Sequence, residues 1–484
     1  MFKILVEKEL KAILLSPKFV ATFGVCALLI LLSVFVGIQE YNAAQEQYET
    51  AQQLLNQEVS EATSWWGINN KAYRAPDPMQ IFVSGINNDV GRLSNISTWT
   101  EVKLEESTYA NDTLFAVFRF IDFAFIVQVV LSLFAILFTY DAINGERESG
   151  TLKLALSNAV PRGKFMLAKF TGAWLGLTIP LLIPILLAAL IVMLLRVPMD
   201  ALAWAKLGTL FGASVLYFTF FIALGLLVSA LTKRSSVSFL ILLVAWVVLV
   251  LIVPRAATMA AGQLLQVPGV AEIESQKDRF STDRWDAYRK ERTQMWETRT
   301  AQMAGMTETE RDNFRGQNEA RWQQEETDSR QVVQEDIAEQ ARKLNEDLRN
   351  QKAEQERLAF LLSRFSPTSS YQLTAMNLGG TNTALKTRYE DAMRSYRTTF
   401  AQFVESKRQE EMEKNRRSQG QRGVMIMGGG DETLDVSELP RFQAPSHTYA
   451  EAVAPSVVDF GLLSLFSLLA FGGAFMAFLR YDVR

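Results

Sequence analysis

Charged residues crowd between two long apolar runs at 140–170, which reads YDAINGERESGTLKLALSNAVPRGKFMLAKF. Asp141, Glu146, Arg147 and Glu148 put both signs of charge into a few residues, a composition suited to recognising another surface. Gly150 permits a sharp change of chain direction, and Thr151, Arg162 and Lys169 follow it. Residue types that break bonds are scarce elsewhere. The only histidine is His447 and the only cysteine, Cys26, lies inside an apolar run. A disulfide scaffold is therefore excluded, and histidine-based catalysis or metal binding is argued against. No HExxH motif appears. Gly163-Lys164 is followed by Phe165, and no glycine stands five residues before Gly163, so there is no phosphate-binding loop. Energy-driven work would need a nucleotide hydrolysed on another chain, with no cofactor bound in this one. A net charge of -3 argues against a nucleic-acid partner.

The elements that must position these residues are membrane spans. Apolar residues are clumped into six runs at 19–38, 121–140, 171–195, 207–231, 237–253 and 457–479. Each reaches or approaches the roughly 20 residues that cross a bilayer. The first is too long for the apolar region of a signal peptide, and no small-residue cleavage site follows it. Lys3, Lys8, Lys11 and Lys18, then Arg147, Lys153, Arg162, Lys164 and Lys169, then Lys233 and Arg234, then Arg480 and Arg484, all fall on one face if the chain crosses six times. The short loop on the other face has only Arg196 and Lys206. The positive-inside rule then places both termini in the cytoplasm. The expected fold is an all-α polytopic membrane protein with six transmembrane helices and a large, mainly helical extracytoplasmic domain.

The expected organisation begins with an amphipathic elbow helix at 1–18 and a span at 19–38. A first extracytoplasmic segment covers 39–120. Four spans with a cytoplasmic segment at 141–169 cover 121–253. An extracytoplasmic helical domain covers 254–456, and the last span with a short tail covers 457–484. In the elbow, Val6, Leu10, Ile13 and Leu14 share one helical face, and Lys3, Glu7 and Lys11 another. It would lie on membrane lipid and take part in a cytoplasmic contact; a plain basic flank is the other reading. Between 272 and 364 both charges are dense and Gly and Pro nearly absent. Val332, Val333, Ile337, Ala341 and Leu344 recur at helical spacing there, which favours long solvated helices in a coiled coil or hairpin over disorder. Breaks are expected at Ser366-Pro367 and Gly379-Gly380, with a further helix over 385–417 and a turn at Gly428-Gly429-Gly430.

The segment 140–170 resembles the corresponding stretch of type-2 ABC exporter permeases. The matching positions are Asp141, Glu146, Glu148, Gly150, Thr151, Leu152, Arg162 and Lys169. One departure is Ala159-Val160-Pro161-Arg162, where the family usually has Pro-Val-Ser-Arg. The resemblance implies a short coupling helix that docks in a groove of an ATPase. Around 364–381, Arg364-Phe365-Ser366-Pro367 through Gly379-Gly380-Thr381, followed by a charged helix with Phe400 and Phe403, is similar to one subgroup. Its members carry a large insert between the last two spans and are linked with gliding motility and with nitrous-oxide-reductase maturation. The implied protein is the permease subunit of an ATP-driven exporter in the bacterial inner membrane. Its implied partners are two copies of an ABC ATPase carrying ATP and Mg, a second permease, identical or similar, and a periplasmic protein. A membrane-anchored scaffold whose external helices bind partners without transport is the alternative.

The span centres contain no Asp, Glu, Lys, Arg or His, which argues against an ion-coupled carrier. Asp122 and Asp459 are expected at the outer span ends, near water. Pro180 and Pro184 are expected to kink the third span. Gly208 and Gly212 form a GxxxG that hints at helix packing. Met425, Met427 and His447 are weak candidates for a soft metal. Trp65, Trp66 and Trp99 are expected to pack the first external segment or mark the membrane boundary.

Overall fold

The computed structural model describes residues 2–65, 68, 70–96, 102, 104, 122–157, 160–419 and 434–480. Trp66, Trp99, Ala159, Met425, Met427, Gly428 to Gly430 and Arg484 lie outside the described residues. Six described helices are long and apolar enough to cross a membrane: Pro17–Ser60, Phe123–Glu148, Arg162–Leu194, Ala201–Leu231, Ser235–Leu264 and Tyr449–Leu479.

The chain divides into two compact units, 1–252 with 366–484, and 253–365. In the first, α1 (Phe2–Leu14) is followed by α2 (Pro17–Ser60). Ser16 caps α2 by accepting the Phe19 N–H at 3.1 Å, and Pro17 supplies a preset first turn. α2 continues for 44 residues, well past the apolar run. Residues 39–60 are rich in Ala, Gln and Glu and free of Pro and Gly, so nothing stops the helix at the end of the span. Beyond it, β1 (Asn70–Tyr73) pairs antiparallel with β2 (Leu93–Ile96), Asn70 opposite Ile96 and Tyr73 opposite Leu93. This small sheet was not legible in the sequence.

The second span enters through Phe123–Phe125 and a π-helical turn, Ile126–Leu131, before α3 (Ser132–Thr139). α4 (Asn144–Glu148) and α5 (Thr151–Ser157) form the connection to α6 (Arg162–Leu194). α6 runs unbroken through Pro180 and Pro184. α7 (Ala201–Leu231) follows, and then α8 (Ser235–Trp246) with a second π turn, Val247–Ile252. α7 packs closely on α3: a Cβ built on Gly225 would lie 1.8 Å from Thr139 Oγ1. Gly208 and Gly212 have no described neighbour within 4 Å of such a Cβ, so their GxxxG packs against none of the described helices.

The region 254–456 does not form one body. Its first part makes up the second unit, in which α9 (Val253–Leu264), α10 (Val270–Gln302) and α11 (Glu308–Ser363) are found. α10 and α11 form an antiparallel hairpin. Arg284 meets Asp336 and Arg299 meets Glu325, both at 2.9 Å, and Gly305 turns the chain at positive φ. Val333 is buried, as its helical spacing requires, while Val332 is exposed.

The remainder returns to the first unit. α12 (Pro367–Gly379) begins at Ser366-Pro367 and ends on left-handed Gly380, so both sequence breaks are helix boundaries. α13 (Ala384–Gln419) packs Leu385, Tyr389, Met393, Phe400 and Val404 against Trp65, Ile68, Ala72, Val90 and Ile96. Trp65 meets Phe403 edge-on at 5.7 Å, so this tryptophan is core. α14 (Tyr449–Val453) leads into α15 (Val457–Leu479). Asp459 stands in the first turn of α15, at the span end as expected, but is fully buried rather than wetted.

Candidate functional site

The charged connection between the second and third spans folds because its polar groups find partners on four other elements. The N–H groups of Ile143 and Asn144 donate to Ser229 Oγ near the end of α7, at 3.0 and 3.2 Å. Asn144 is fully buried, and its Nδ2 donates to Thr232 Oγ1 at 2.9 Å. Glu148 accepts the Ser235 N–H and the Ser235 hydroxyl, each at 2.9 Å. These bonds satisfy donors at the start of α8, as a capping carboxylate does. α4 is therefore bolted to the turn that joins the fourth span to the fifth.

Glu146 is held on its other side by an ion cluster. Its Oε1 accepts from Lys8 at 2.7 Å and from Lys169 at 2.8 Å, and Lys169 reaches Glu9 at 2.8 Å. Lys169 is 5% exposed and Glu146 and Glu9 are 14% each, so three of the four charges are largely out of water. Two lysines against two glutamates leave the cluster neutral, which is what burial of charge demands. Burial works to lower the Lys8 pKa, but the hydrogen bond and charge of Glu146 outweigh it and raise the ammonium's pKa above its ordinary value.

The elbow α1 lies against α6, with Val6 and Ile13 buried. A Cβ on Gly172 would stand 2.5 Å from Glu9 Cβ, and one on Gly176 would touch Ile13 and Leu10 at 3.4 Å. These glycines let α1 sink close enough for Glu9 to meet Lys169. The polar face faces outward: Glu7 and Lys11 pair at 2.8 Å in the open, and Lys3 is exposed. The Lys11 bond draws the Glu7 pKa below its usual range.

After α4, Gly150 takes φ +77°, a conformation that side chains resist, and the chain turns into α5. Thr151 Oγ1 fixes the turn by bonding Ser149 Oγ at 2.9 Å and Glu146 O at 3.2 Å. On α5, Leu152 is buried beneath, while Lys153 and Ser157 are exposed and Leu154 is 66% exposed. α5 thus presents an apolar residue flanked by a lysine on a frame tied to four helices.

Of the residues singled out in sequence, Glu146 and Lys169 come into contact, and Thr151 bonds the Glu146 carbonyl. Glu148 lies apart from them on Ser235. The Asp141 carbonyl accepts the Gly145 N–H at 2.9 Å. Arg147 is half-buried in α4. Arg162 is remote from the cluster and donates to Leu479 O at 2.7 Å, closing the end of α15. Sequence reasoning assigned Glu146 and Glu148 to outward recognition, whereas both carboxylates are engaged within the chain. It missed Lys8, Glu9, Ser229, Thr232 and Ser235. Glu9 had left a signal: it stands with Val6, Leu10 and Ile13 on the apolar face of α1. A charge there needs a buried partner. His447, the weak metal candidate, accepts from Lys206 through its backbone oxygen at 2.8 Å. No cluster of metal-ligating residues occurs among the described residues.

Residues 4–483 match the family model described as ABC-2 family transporter protein. The chain is also similar to the probable ABC transporter permease protein NosY of Pseudomonas aeruginosa, 37% identical over 108 residues, covering 22% of this chain and 38% of that protein. A second relative is the probable ABC transporter permease protein NosY of Stutzerimonas stutzeri, 35% identical over 131 residues, covering 27% of this chain and 47% of that protein. These matches span less than half the length of either curated relative. The family match runs through all six apolar helices, the α4–α5 connection and the large insert. The chain belongs to the ABC-2 family of transporter proteins, and is a multi-pass membrane protein.

Proposed function

We propose that this chain is the permease subunit of an ATP-driven ABC exporter, and that α5 is the surface on which a separate ATPase docks. The observation that carries the reading is the contrast within one short connection. Every carboxylate of α4 is spent on internal bonds, while Leu154 and Lys153 project outward from a frame anchored to α1, α6, α7 and α8. A docking surface that must transmit force needs both an exposed contact and a stiff mounting.

In this reading the connection is cytoplasmic, as are both termini, and the membrane is the bacterial inner membrane. Mg-ATP binds on two ATPase copies. Two permeases, identical or similar, pair around the pathway. Closure of the ATPases draws the α5 helices together and shifts the bundle between inward- and outward-facing states, with nucleotide as the differential ligand. Export, or force passed to a periplasmic partner, is the output.

Substituting Leu154→Asp at the exposed site should lower ATPase co-purification and stimulated ATP hydrolysis by at least about tenfold, a loss that removing one central apolar anchor commonly produces. The melting temperature should stay unchanged. Full ATPase binding by Leu154→Asp would defeat the assignment. The alternative, a membrane-anchored scaffold, draws support from the long hairpin of α10 and α11, and it predicts that no ATPase co-purifies at all.

A further inference from the structure

α12 is an unusual helix to find inside a bundle of apolar spans. Its sequence, PTSSYQLTAMNLG, is mostly polar, yet Thr368, Ser369, Ser370, Tyr371 and Thr374 are all buried. Its first turn reaches the middle of α7. Thr368 Oγ1 meets Tyr217 OH at 2.9 Å, and Tyr217 stands one residue past the centre of that helix. Tyr371 OH meets Ser214 Oγ at 2.9 Å, and the Tyr217 and Tyr371 rings stack at 4.9 Å.

The anchors of this first turn share one origin. A π turn shifts backbone bonds from four residues on to five, so where it gives way to α-helix one carbonyl is left over to accept elsewhere. The spans carry two such turns among the described residues, and each gives a carbonyl to this network. In Ile126–Leu131, Gln128 O accepts from Tyr217 OH at 3.0 Å. In Val247–Ile252, Leu249 O accepts from the Ser366 hydroxyl, while Ser366 Oγ caps α12 by accepting the Thr368 N–H at 3.1 Å. Trp246 Nε1 donates to Ser132 Oγ at 2.8 Å, and Ser132 Oγ in turn donates to Gln128 O, which joins the two π turns. On α12 itself, the hydroxyls of Ser369, Ser370 and Thr374 are buried with no partner among the described residues. Such groups cost free energy where they are and would gain hydration if the helix moved.

We infer that α12 is a latched plug. The hydroxyls of Ser366, Tyr217 and Thr368 hold it in the bundle through carbonyls that the two π turns set free. Return of either turn to ordinary α-helix withdraws its acceptor and releases α12, exposing its hydroxyl face to water. Ser366, Tyr217 and Thr368 are positioning residues in this device. Linking the latch to nucleotide rests on the docking role proposed above, because the second span runs from the first π turn to α4. The latch itself is tested on the chain without an ATPase, so its failure would leave that role standing.

The test is amide hydrogen exchange on the full-length protein in lipid nanodiscs. Tyr217→Phe keeps the ring and loses the hydroxyl. Ser366→Asp keeps a capping acceptor and loses the donor, whereas Ser366→Thr keeps both. The first two should speed exchange across 367–379 by at least tenfold, with α6 unchanged, and Ser366→Thr should match the wild type. Wild-type rates at 367–379 in both Tyr217→Phe and Ser366→Asp would overturn the latch. So would equal acceleration throughout α6 and α7, which would mean that the hydroxyls only stabilise the fold.

Discussion

At the scale of the residue, Lys169 decides whether the docking connection has a fixed place. Among the described residues it is the one cation that touches carboxylates of both α1 and α4. Lys169→Met should destabilise the protein by about 3 kcal/mol, since Glu9 would lose its Lys169 contact and Glu146 would keep only Lys8. Adding Glu9→Leu should recover part of that loss by removing the surplus charge. A thermal-melting double-mutant cycle measures the coupling, and strict additivity would refute it. The sequence showed Glu146 and Lys169 as charges at the two ends of one segment. It did not show that they meet, because contact over 23 positions depends on how α4 folds back on α6. Burial also separated residues of like type: the same acidic character serves an ion cluster at Glu146 and a helix cap at Glu148. His447 illustrates a related effect. Burial first, then the nearby Arg388 and Lys206 charges, lowers its pKa to about 4, so the ring stays neutral at ordinary pH.

At the scale of the element, glycines set the closest approaches. Gly225→Ala should lower the melting temperature, with a cost of about 1–3 kcal/mol, because the new methyl would overlap Thr139 Oγ1 and α3 and α7 would have to separate. Gly208→Ala is the internal control and should be nearly silent in the isolated chain, since no neighbour among the described residues lies within 4 Å of a Cβ built there. Melting curves that ranked the two the other way would contradict the packing. The apolar runs revealed the spans because about 20 consecutive apolar residues have few other uses. Helix ends were harder to read. α2 overran its span because residues 39–60 are good helix formers, and polarity alone does not stop a helix. α12 was hidden for the opposite reason: its hydroxyl-rich sequence reads as solvent-exposed, and its burial follows from partners on α7 and the π turns.

At the scale of the whole molecule, the insert between the last two spans supplies two different things. Residues 253–365 form a compact unit of their own, while 366–456 contributes α12 and α13 to the unit that holds the spans. The hairpin should therefore be separable. Tyr288 on α10 and Val333 on α11 are both buried and fall at matching heights given the Arg284–Asp336 and Arg299–Glu325 pairs. Replacing 291–330 with a glycine-rich turn should leave the melting transition and the exchange protection of α6, α7 and α12 intact. Loss of protection in those helices would show that the two units fold as one. The sequence located the insert and its helical character, but chain order could not reveal that its second half returns to the bundle.

The length of α2 has a mechanical corollary. A single uninterrupted helix of 44 residues measures about 66 Å, roughly twice the thickness of the hydrocarbon layer. Its apolar half is gripped by Cys26, Ile30, Val34 and Ile38, all buried, and its polar half carries the packing of Tyr41, Ala44 and Leu55. With no joint between them, a tilt of ten degrees about the middle of the apolar run would sweep the far end by about 8 Å. Span one is thus a tiller: whatever leans on its apolar half steers the sheet and the Trp65 cluster at its far end.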